Sequence, residues 1–296
     1  MGKLSFDDIR QLAIDKEVSL QWMMASLVEE ELLAKLWRSP LKERIIVKND
    51  YTSKEWENPL GEGIPGLELV VSGASWDEVI EKILEEEAAG TCFTDARGTE
   101  FIENRGLRSK NFLIKTNFDY TSMWIPLELT CYGEDEFESF YCSVYSMSCS
   151  NQVKEYTGIA EDWDIFAFRK MHIEGVFLDK VWSVALREEL INSMKPYVDI
   201  VRILDSLCLE GRRIRSYMGS DRPICTNEVD RLKKNEKNPN LIRRWKAYAR
   251  TCGIKNMSFS QVINKTLKAI EPVRRAADAG MEFFGDWMPE LGRYID

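Results

Sequence analysis

The sequence predicts an α+β protein, with a mixed β-sheet core, helices before the sheet and a helical C-terminal half. Apolar residues such as Ile9 and Leu12 recur at helical spacing near the N-terminus. The segment from Ile125 to Cys131 alternates between apolar and polar residues, as a half-buried strand does. After residue 165 helical spacing prevails. Strands followed by a run of helices are typical of the α+β class.

The N-terminal third contains helix and strand signals in succession. A helix is predicted from about Ser19 to Ser39, because Pro40 disfavours helical backbone in the residue before it. Residues 44–48 and 67–71 are short segments rich in β-branched and other apolar residues and bounded by polar ones. Each segment is therefore predicted to form a strand. The sequence therefore places two strands behind an entry helix.

Two capping boxes predict further helix starts. Ser75 with Glu78, and Ser258 with Gln261, are pairs three residues apart whose side chains satisfy the free amides of a new helix. Between the two early strands, residues 49–66 are rich in glycine and proline and are predicted to form a long loop. Loops of this length in compact domains are usually functional or disordered.

Composition disfavours several classes of function. No stretch reaches the roughly 18 apolar residues that a membrane-spanning helix needs. The first residues include Asp7 and Asp8, whereas a signal peptide has an apolar core after a basic start. A cytoplasmic protein without a membrane role is therefore expected. Seven cysteines form no CxxC pair and His172 is the only histidine, which disfavours a zinc site and a histidine-assisted hydrolase. His172 is interpreted as a packed or surface residue. Any metal would need carboxylate ligands, as Mg²⁺ does.

Charge is unevenly distributed along the chain. The net charge is −9, yet residues 211–250 contain twelve lysines and arginines against four acids. This segment therefore carries +8 and the remainder −17. Such asymmetry indicates a surface for RNA or another acidic partner. The alternative is a solvated helical face, and the overall acidity argues against broad non-specific DNA binding.

Several segments share their order and spacing with one protein family. They are Leu32–Pro40 with Ile45–Lys48, Ile125–Gly133, Val176–Val184, Asn192–Ile200 and Trp245–Pro272. Taken together, over roughly residues 19–273, they resemble the AbiEii/AbiGii toxins. The resemblance implies a nucleotidyltransferase-like, polymerase-β-type fold and a toxin–antitoxin or phage-defence setting. In that fold a Gly-Gly-Ser/Thr loop holds a nucleoside triphosphate, and three strand carboxylates hold two Mg²⁺ ions.

The chain departs from the family pattern at the metal-binding positions. The Asp-x-Asp pair falls on a segment with one acid, Glu68, and the third acid falls on Thr130, although Glu128 lies on the same strand face two residues earlier. Glu68 and Glu128 are therefore the candidate metal ligands, with Mg²⁺ as the implied ion. A true Asp-x-Asp, Asp162 and Asp164, lies in a polar stretch that is more typical of an exposed turn.

The resemblance also implies residues that contact a nucleotide. The Gly-Gly-Thr position holds Asn49 and Asp50 after Lys48, and Lys180 occupies the position of a helix lysine that meets triphosphate oxygens. Lys195 matches a second helical element. The predicted nucleotide-binding residues are Lys48, Asn49, Asp50, Lys180 and Lys195.

Asp199 matches the same second helical element, in which Pro196 replaces an expected aspartate. Together with Glu68, Glu128 and Lys180, it completes the set of candidate catalytic residues. Each helical candidate has a simpler interpretation. Lys180 would be an ordinary solvated helix lysine, and Asp199 would pair with a neighbouring lysine or arginine.

Three functions are consistent with these observations. The predicted protein has a nucleotidyltransferase-like domain (residues 1–165) and a helical C-terminal domain (166–296). In the first function, this protein has lost or altered its metal-dependent catalysis and acts by binding a partner, such as an antitoxin protein. The second is an active toxin that transfers a nucleotide from an NTP onto RNA, tRNA or protein, with Glu68, Glu128 and Asp50 as metal ligands. The third is an interaction module without any nucleotide, since a fold alone does not determine function. Whether the chain is an enzyme is left open by the sequence.

Overall fold

The computed structural model describes residues 5–15, 17–49, 67–84, 92–104, 107–118, 121–132, 142–147, 166–187, 191, 193–218, 226–254 and 256–295. These residues form two compact units, an N-terminal unit that ends at Met171 and a C-terminal unit that begins at His172. The sequence predicts the division after residue 165. Asp50, the rest of the predicted loop and the Asp162–Asp164 pair lie outside the described residues.

The N-terminal unit begins with helices. They are α1 (Phe6–Asp15), α2 (Leu20–Arg38), a 3₁₀ turn (Pro40–Arg44) and α3 (Trp76–Leu84). The Ser19 side chain accepts a hydrogen bond from the Trp22 amide and caps α2, which ends before Pro40 as predicted. The predicted capping box of α3 is confirmed, since Ser75 N donates to Glu78 Oε2 at 2.7 Å and Glu78 N donates to Ser75 Oγ at 3.3 Å.

A seven-stranded mixed sheet forms the rest of this unit. Its strands are β1 (Ile45–Asn49), β2 (Leu67–Ser72), β3 (Cys92–Asn104), β4 (Leu107–Phe118), β5 (Thr121–Tyr132), β6 (Cys142–Met147) and β7 (Phe166–Met171). Their spatial order is β3-β4-β5-β2-β1-β7-β6. The α+β class predicted from the sequence is thereby confirmed.

The centre of the sheet positions the candidate metal ligands. β2 runs parallel to β5 and antiparallel to β1, so all three lie side by side in the middle of the sheet. Every residue of β2 is buried, as expected for a strand covered on both faces. Apolar residues of α1 and α2, including Ile9, Leu12 and Leu32, belong to the same core cluster as Leu69 of β2. Side chains on these strands are therefore held in a packed environment.

β7 contradicts the prediction that the chain is helical from residue 165 onward. It pairs in parallel with β1, with Ile46 opposite Arg169 and Val47 opposite Lys170. Six residues are too few for periodicity to separate a short strand from a helical turn, so the adjacent strand edge decides the conformation.

The C-terminal unit is mainly helical. Its helices are α4 (Ile173–Arg187), α5 (Lys195–Ser206), α6 (Gly211–Met218), α7 (Thr226–Asn235), α8 (Pro239–Thr251) and α9 (Phe259–Asp278). The interior of α4 is buried from Glu174 to Ala185 except at Asp179, so this helix lies within the core of its unit. Tyr197 of α5 and Phe259 of α9 pack edge to face, with ring centroids 5.0 Å apart.

A small sheet, which the sequence did not predict, closes the C-terminal unit. It contains β8 (Leu209–Glu210), β9 (Asp286–Met288) and β10 (Arg293–Ile295) in the order β10-β9-β8. Trp287 is fully buried and its indole N–H donates to the Leu204 carbonyl at 3.0 Å. Strands of two or three residues carry no readable alternation, and tertiary contacts determine them.

The capping box that begins α9 is confirmed, but the end of the helix differs from the prediction. The Ser258 and Gln261 side chains satisfy each other's backbone amides. The family resemblance implies a helix that ends at Pro272, whereas α9 continues to Asp278. Val273 and Ala276 are buried beyond the proline. Their burial offsets the roughly 3 kcal/mol that an interior proline costs a helix.

Candidate functional site

Two predicted metal ligands and one predicted nucleotide-binding lysine meet in the N-terminal unit. Lys48 Nζ lies 3.3 Å from Glu68 Oε2 and 3.5 Å from Glu128 Oε1. The Lys48 and Glu68 side chains are 5% and 10% exposed, and that of Glu128 is 25% exposed. We call these three residues the lysine–diglutamate cluster. The formal charge of its three side chains sums to −1.

Strand register brings the two glutamates together. Glu68 and Glu128 are partners in the parallel β2–β5 ladder, so their side chains project from the same face of the sheet. The predicted alternation of β5 is consistent with this placement, since Leu127 and Leu129 are buried on either side of Glu128. The alternation of β5 therefore predicted the strand face on which Glu128 lies, but it did not predict that Glu128 is paired with Glu68.

A local irregularity in β1 positions the lysine. Val47 pairs with Leu69 and Asn49 pairs with Glu68, although Leu69 and Glu68 are adjacent, so Lys48 is the extra residue of a bulge. Bulges often redirect a side chain next to a functional site. Here the bulge places the Lys48 ammonium between two carboxylates. Asn49 lies beside Glu68 in the ladder, but its side chain is not described.

The cluster does not fit the two-Mg²⁺ centre implied by the family resemblance. Two cations close together need several carboxylates to compensate their charge. The third acid position is occupied by Thr130, which is buried and whose hydroxyl carries no charge. An ammonium group already contacts both glutamates. Among the described residues, no group of three or more histidine, cysteine, aspartate or glutamate side chains is arranged to hold a metal ion.

The remaining candidates form a second cluster, in the C-terminal unit. Asp199 Oδ2 lies 3.0 Å from Lys195 Nζ and 3.9 Å from Lys180 Nζ. The Asp199 side chain is 3% exposed and that of Lys180 is 8% exposed, whereas Lys195 is 36% exposed. We call these residues the dilysine–aspartate cluster. Its formal side-chain charge is +1, and the alternative interpretation of Asp199 as the partner of a neighbouring lysine is confirmed.

Tyr248 of α8 is a neighbour of the dilysine–aspartate cluster that sequence analysis missed. Burial raises the pKa of Tyr248, while its hydrogen bond with Ser193 and the nearby Lys195 ammonium act in the opposite direction. The phenol is therefore a neutral hydrogen-bonding group close to Lys195. Tyr248 falls three residues after Trp245, where the pattern only indicated a packed helix face, so sequence alone offered no signal for its position.

The only histidine of the chain belongs to a separate polar network. His172 Nδ1 lies 3.0 Å from Arg213 Nη1, and Arg213 Nε lies 2.9 Å from Glu210 Oε2. Burial and, secondarily, the Arg213 guanidinium lower the pKa of His172. The buried Glu174 accepts a hydrogen bond from the Glu210 amide at 2.8 Å and links α4 to β8. The interpretation of His172 as a packed or surface residue agrees with this partly buried placement.

The basic segment 211–250 forms α6, α7 and α8, with residues 219–225 outside the described part. Many of its cations have local partners. Arg213 pairs with Glu210, Lys233 Nζ lies 2.7 Å from Glu271 Oε1, and Arg215 donates to the Met281 carbonyl. Much of the positive charge in α6 and α7 is thus engaged within the unit. No helix of the described residues is long and apolar enough to cross a membrane.

No family model matches the chain, and no curated protein matches it at a significant level. Two crystal structures of proteins from Helicobacter pylori are similar to it. For the JHP933 protein the TM-score is 0.43 at 10% sequence identity, covering 86% of this chain and 94% of that chain. For a provisionally named nucleotidyltransferase the TM-score is 0.46 at 10% identity, covering 90% of this chain and 100% of that chain. The function of the present chain is therefore inferred from its own side chains.

Proposed function

We propose that this chain is a nucleotidyltransferase-type protein of a toxin–antitoxin or phage-defence system that has lost metal-dependent catalysis and acts by binding a partner. The observation that carries the proposal is the lysine–diglutamate cluster. Lys48 places a fixed positive charge between Glu68 and Glu128, where the family resemblance calls for a metal. The resemblance itself rests on the collinear segments described above.

Charge balance explains why an ammonium opposes a metal at this position. A Mg²⁺ ion binds carboxylate oxygens at about 2.0–2.1 Å and excludes other cations from the same oxygens. To enter the cluster, the ion would have to displace an ammonium whose side chain is 5% exposed. The buried lysine would then lose its contacts with both carboxylates, and disruption of a buried ion pair is strongly destabilising. The resident lysine therefore competes directly with metal binding.

The dilysine–aspartate cluster supports a residual affinity for anions. Two lysines contact a single carboxylate here, so the formal charge of the three side chains sums to +1. Lys195, the more exposed of the two, is accessible to a solvent anion. Charge-assisted hydrogen bonds from such a group favour phosphate oxygens. A weak, metal-independent contact with a triphosphate is accordingly expected, in the absence of turnover.

Isothermal titration with each of the four NTPs, with and without Mg²⁺, tests the proposal. We expect weak or undetectable binding that does not depend on Mg²⁺, together with no NTP turnover. The variants Lys180→Ala and Glu128→Ala separate the two clusters. If Mg²⁺-dependent binding or nucleotide transfer at ordinary enzyme rates appears and is lost in Glu128→Ala, the protein is an active nucleotidyltransferase and the proposal is wrong.

Growth inhibition on expression tests the setting as well as the mechanism. A toxin that acts by binding should inhibit growth equally as the wild type and as Glu128→Gln, because this change keeps the size of the side chain and removes only its charge. Lys42→Gln is a matched surface control, since Lys42 is 46% exposed in the same unit. Relief of growth inhibition by Glu128→Gln, with unchanged protein levels, would indicate catalysis. No inhibition by any variant would contradict the toxin assignment.

A further inference from the structure

Every charged residue on the solvent face of α8 is basic. Its exposed residues are Pro239, Asn240, Arg243, Lys246, Ala247, Arg250 and Thr251. None of them is acidic. Arg243, Lys246 and Arg250 are spaced three and four residues apart, so their side chains project from one side of the helix. We call these three residues the α8 basic stripe.

The stripe differs from cations of the basic segment such as Arg213 and Lys233, each of which contacts a carboxylate of its own unit. Among the described residues, no carboxylate lies within ion-pair distance of Arg243, Lys246 or Arg250. On the same helix, Arg244 instead donates to the Ile191 carbonyl and is part of the fold. Exposed side chains that contribute nothing to packing or pairing are available to an external anion. The position of these three on one helix face makes them available together.

The spacing of the stripe suits a phosphate backbone. At about 1.5 Å of rise per residue, the seven steps from Arg243 to Arg250 cover roughly 10.5 Å along the helix axis. A nucleic-acid strand in a B-form duplex carries one phosphate per about 3.4 Å of its axis. Three flexible cations over this distance can therefore contact about three phosphates of one strand. Ala247 lies among them on the same face and allows close approach.

The composition of the face favours a duplex over a protein or a single strand. Protein interfaces have a core enriched in aromatic and other large apolar side chains, and the exposed large apolar residues of the described chain all lie elsewhere: Ile14, Met281, Phe284, Leu291 and Ile295. Single-strand binding relies on aromatic side chains on which bases stack. The face of α8 exposes none. Cations alone are sufficient to bind a nucleic-acid duplex, because its bases are stacked inside the double helix and only its phosphates need to be contacted.

We propose that the α8 basic stripe docks the phosphate backbone of a double-helical nucleic acid without reading its sequence. The inference is independent of the proposed loss of catalysis, because it concerns only α8. The acidic remainder of the chain, at −17, repels a polyanion and restricts it to this face. Binding is accordingly expected to be weak at physiological salt and strongly salt-dependent.

Fluorescence anisotropy with a short labelled DNA duplex tests the proposal over a series of salt concentrations. The triple variant Arg243→Gln, Lys246→Gln, Arg250→Gln should bind roughly 10²-fold more weakly at about 0.1 M salt, and the slope of log K against log salt should fall by roughly 2–3. A matched variant replaces three other exposed cations of the same unit, Lys234, Lys237 and Lys268, by glutamine. It makes the same change in net charge and should bind almost as the wild type does.

Further probes distinguish the competing partners. Duplexes of scrambled sequence, and an RNA duplex of the same sequence, should bind within a few-fold of the DNA duplex, because only phosphates are contacted. A single strand or an acidic polypeptide should bind more weakly. The proposal is overturned if the wild type does not bind the duplex, if both triple variants lose affinity equally, or if the single strand or the polypeptide binds best. Circular dichroism confirms that the exposed substitutions leave the fold intact.

Discussion

The two charged clusters of this protein have opposite compositions. In the N-terminal unit one lysine contacts two glutamates, and in the C-terminal unit two lysines share one aspartate. Both contain a buried group at the centre, Lys48 in one and Asp199 in the other, with side chains 5% and 3% exposed. The sign of the central charge therefore decides what each cluster can still bind.

The comparison shows how positions that resemble a metal and nucleotide site can be converted into structural ion pairs. A central cation satisfies the carboxylates that would ligate a metal. A central anion partly neutralises the lysines that would meet a triphosphate. Buried ion pairs are weak evidence for stability, because desolvation offsets the Coulombic gain, but removal of one partner leaves an uncompensated charge. The first three of the four predictions that follow exploit this asymmetry.

The largest effect is expected from Lys48→Met, which removes the shared partner of two glutamates. The free energy of unfolding should fall by about 3–5 kcal/mol, since the buried Glu68 loses its contact with the Lys48 ammonium. Urea denaturation, combined with amide hydrogen exchange of β1 and β2, measures the loss. Lys42→Met on the same unit is the control and should stay within about 0.5 kcal/mol of the wild type. If Lys48→Met is as stable as the wild type, the lysine–diglutamate cluster is solvated, and the comparison of the two clusters as buried ion pairs is wrong.

Asp199→Asn should have a smaller effect, of about 1–3 kcal/mol. The central charge is again removed, but Lys195 is exposed enough to regain water, and only Lys180 is left buried. Hydrogen exchange of α4 and α5 would locate the effect in the C-terminal unit. Asp230→Asn, at an exposed residue of the same unit, is the matched control. A loss as large as that of Lys48→Met would mean that exposure does not distinguish the two clusters.

The outer members of the clusters should matter least for stability. Glu128→Gln and Lys195→Gln each remove a partly exposed charge, and solvent screening limits the cost of each to about 1 kcal/mol or less. A double-mutant cycle between Lys48→Met and Glu128→Gln would measure their coupling directly. Coupling near zero would indicate that Glu68 alone accounts for the pairing of Lys48.

The smallest effect concerns acid stability of the C-terminal unit, outside both clusters. The pKa of His172 is lowered from 6.5 by burial and by Arg213, so below pH 6.5 the unfolded chain binds a proton that the folded chain does not. The free energy of unfolding should decrease as pH falls from 6.5 towards the folded pKa. His172→Gln should remove this part of the pH dependence. If the free energy of unfolding depends on pH in the same way for the variant and the wild type between pH 7 and 5, the pKa of His172 is not lowered by folding. The network around Arg213 would then be accessible to solvent.

Local elements were predictable because local interactions determine them. The capping boxes at Ser75 and Ser258 and the end of α2 before Pro40 involve residues within four positions of one another. The alternation of β5 is similarly local. In contrast, β7 and the short C-terminal strands were missed, since their conformation depends on the strand edges that they meet.

The candidate residues divide in the same way. Lys195 and Asp199 are four apart on one helix, and their pairing could be anticipated from the sequence. Lys180 reaches the same carboxylate only through the packing of α4 against α5. Tyr248 approaches the cluster from α8 and could not be anticipated, because no local pattern connects it to Asp199. The α8 basic stripe has the spacing of one helix face, but only the structure showed that no described carboxylate pairs with it.

The fold class, the helix caps, the face on which Glu128 lies and the uneven distribution of charge could all be predicted from the amino-acid sequence, because each follows from the chemistry of neighbouring residues. That Glu68 and Glu128 lie opposite one another and share Lys48 is a consequence of long-range packing. Their meeting depends on the parallel register of β2 and β5 and on a single bulge in β1. A shift of one residue in either strand would turn these side chains to the other face of the sheet.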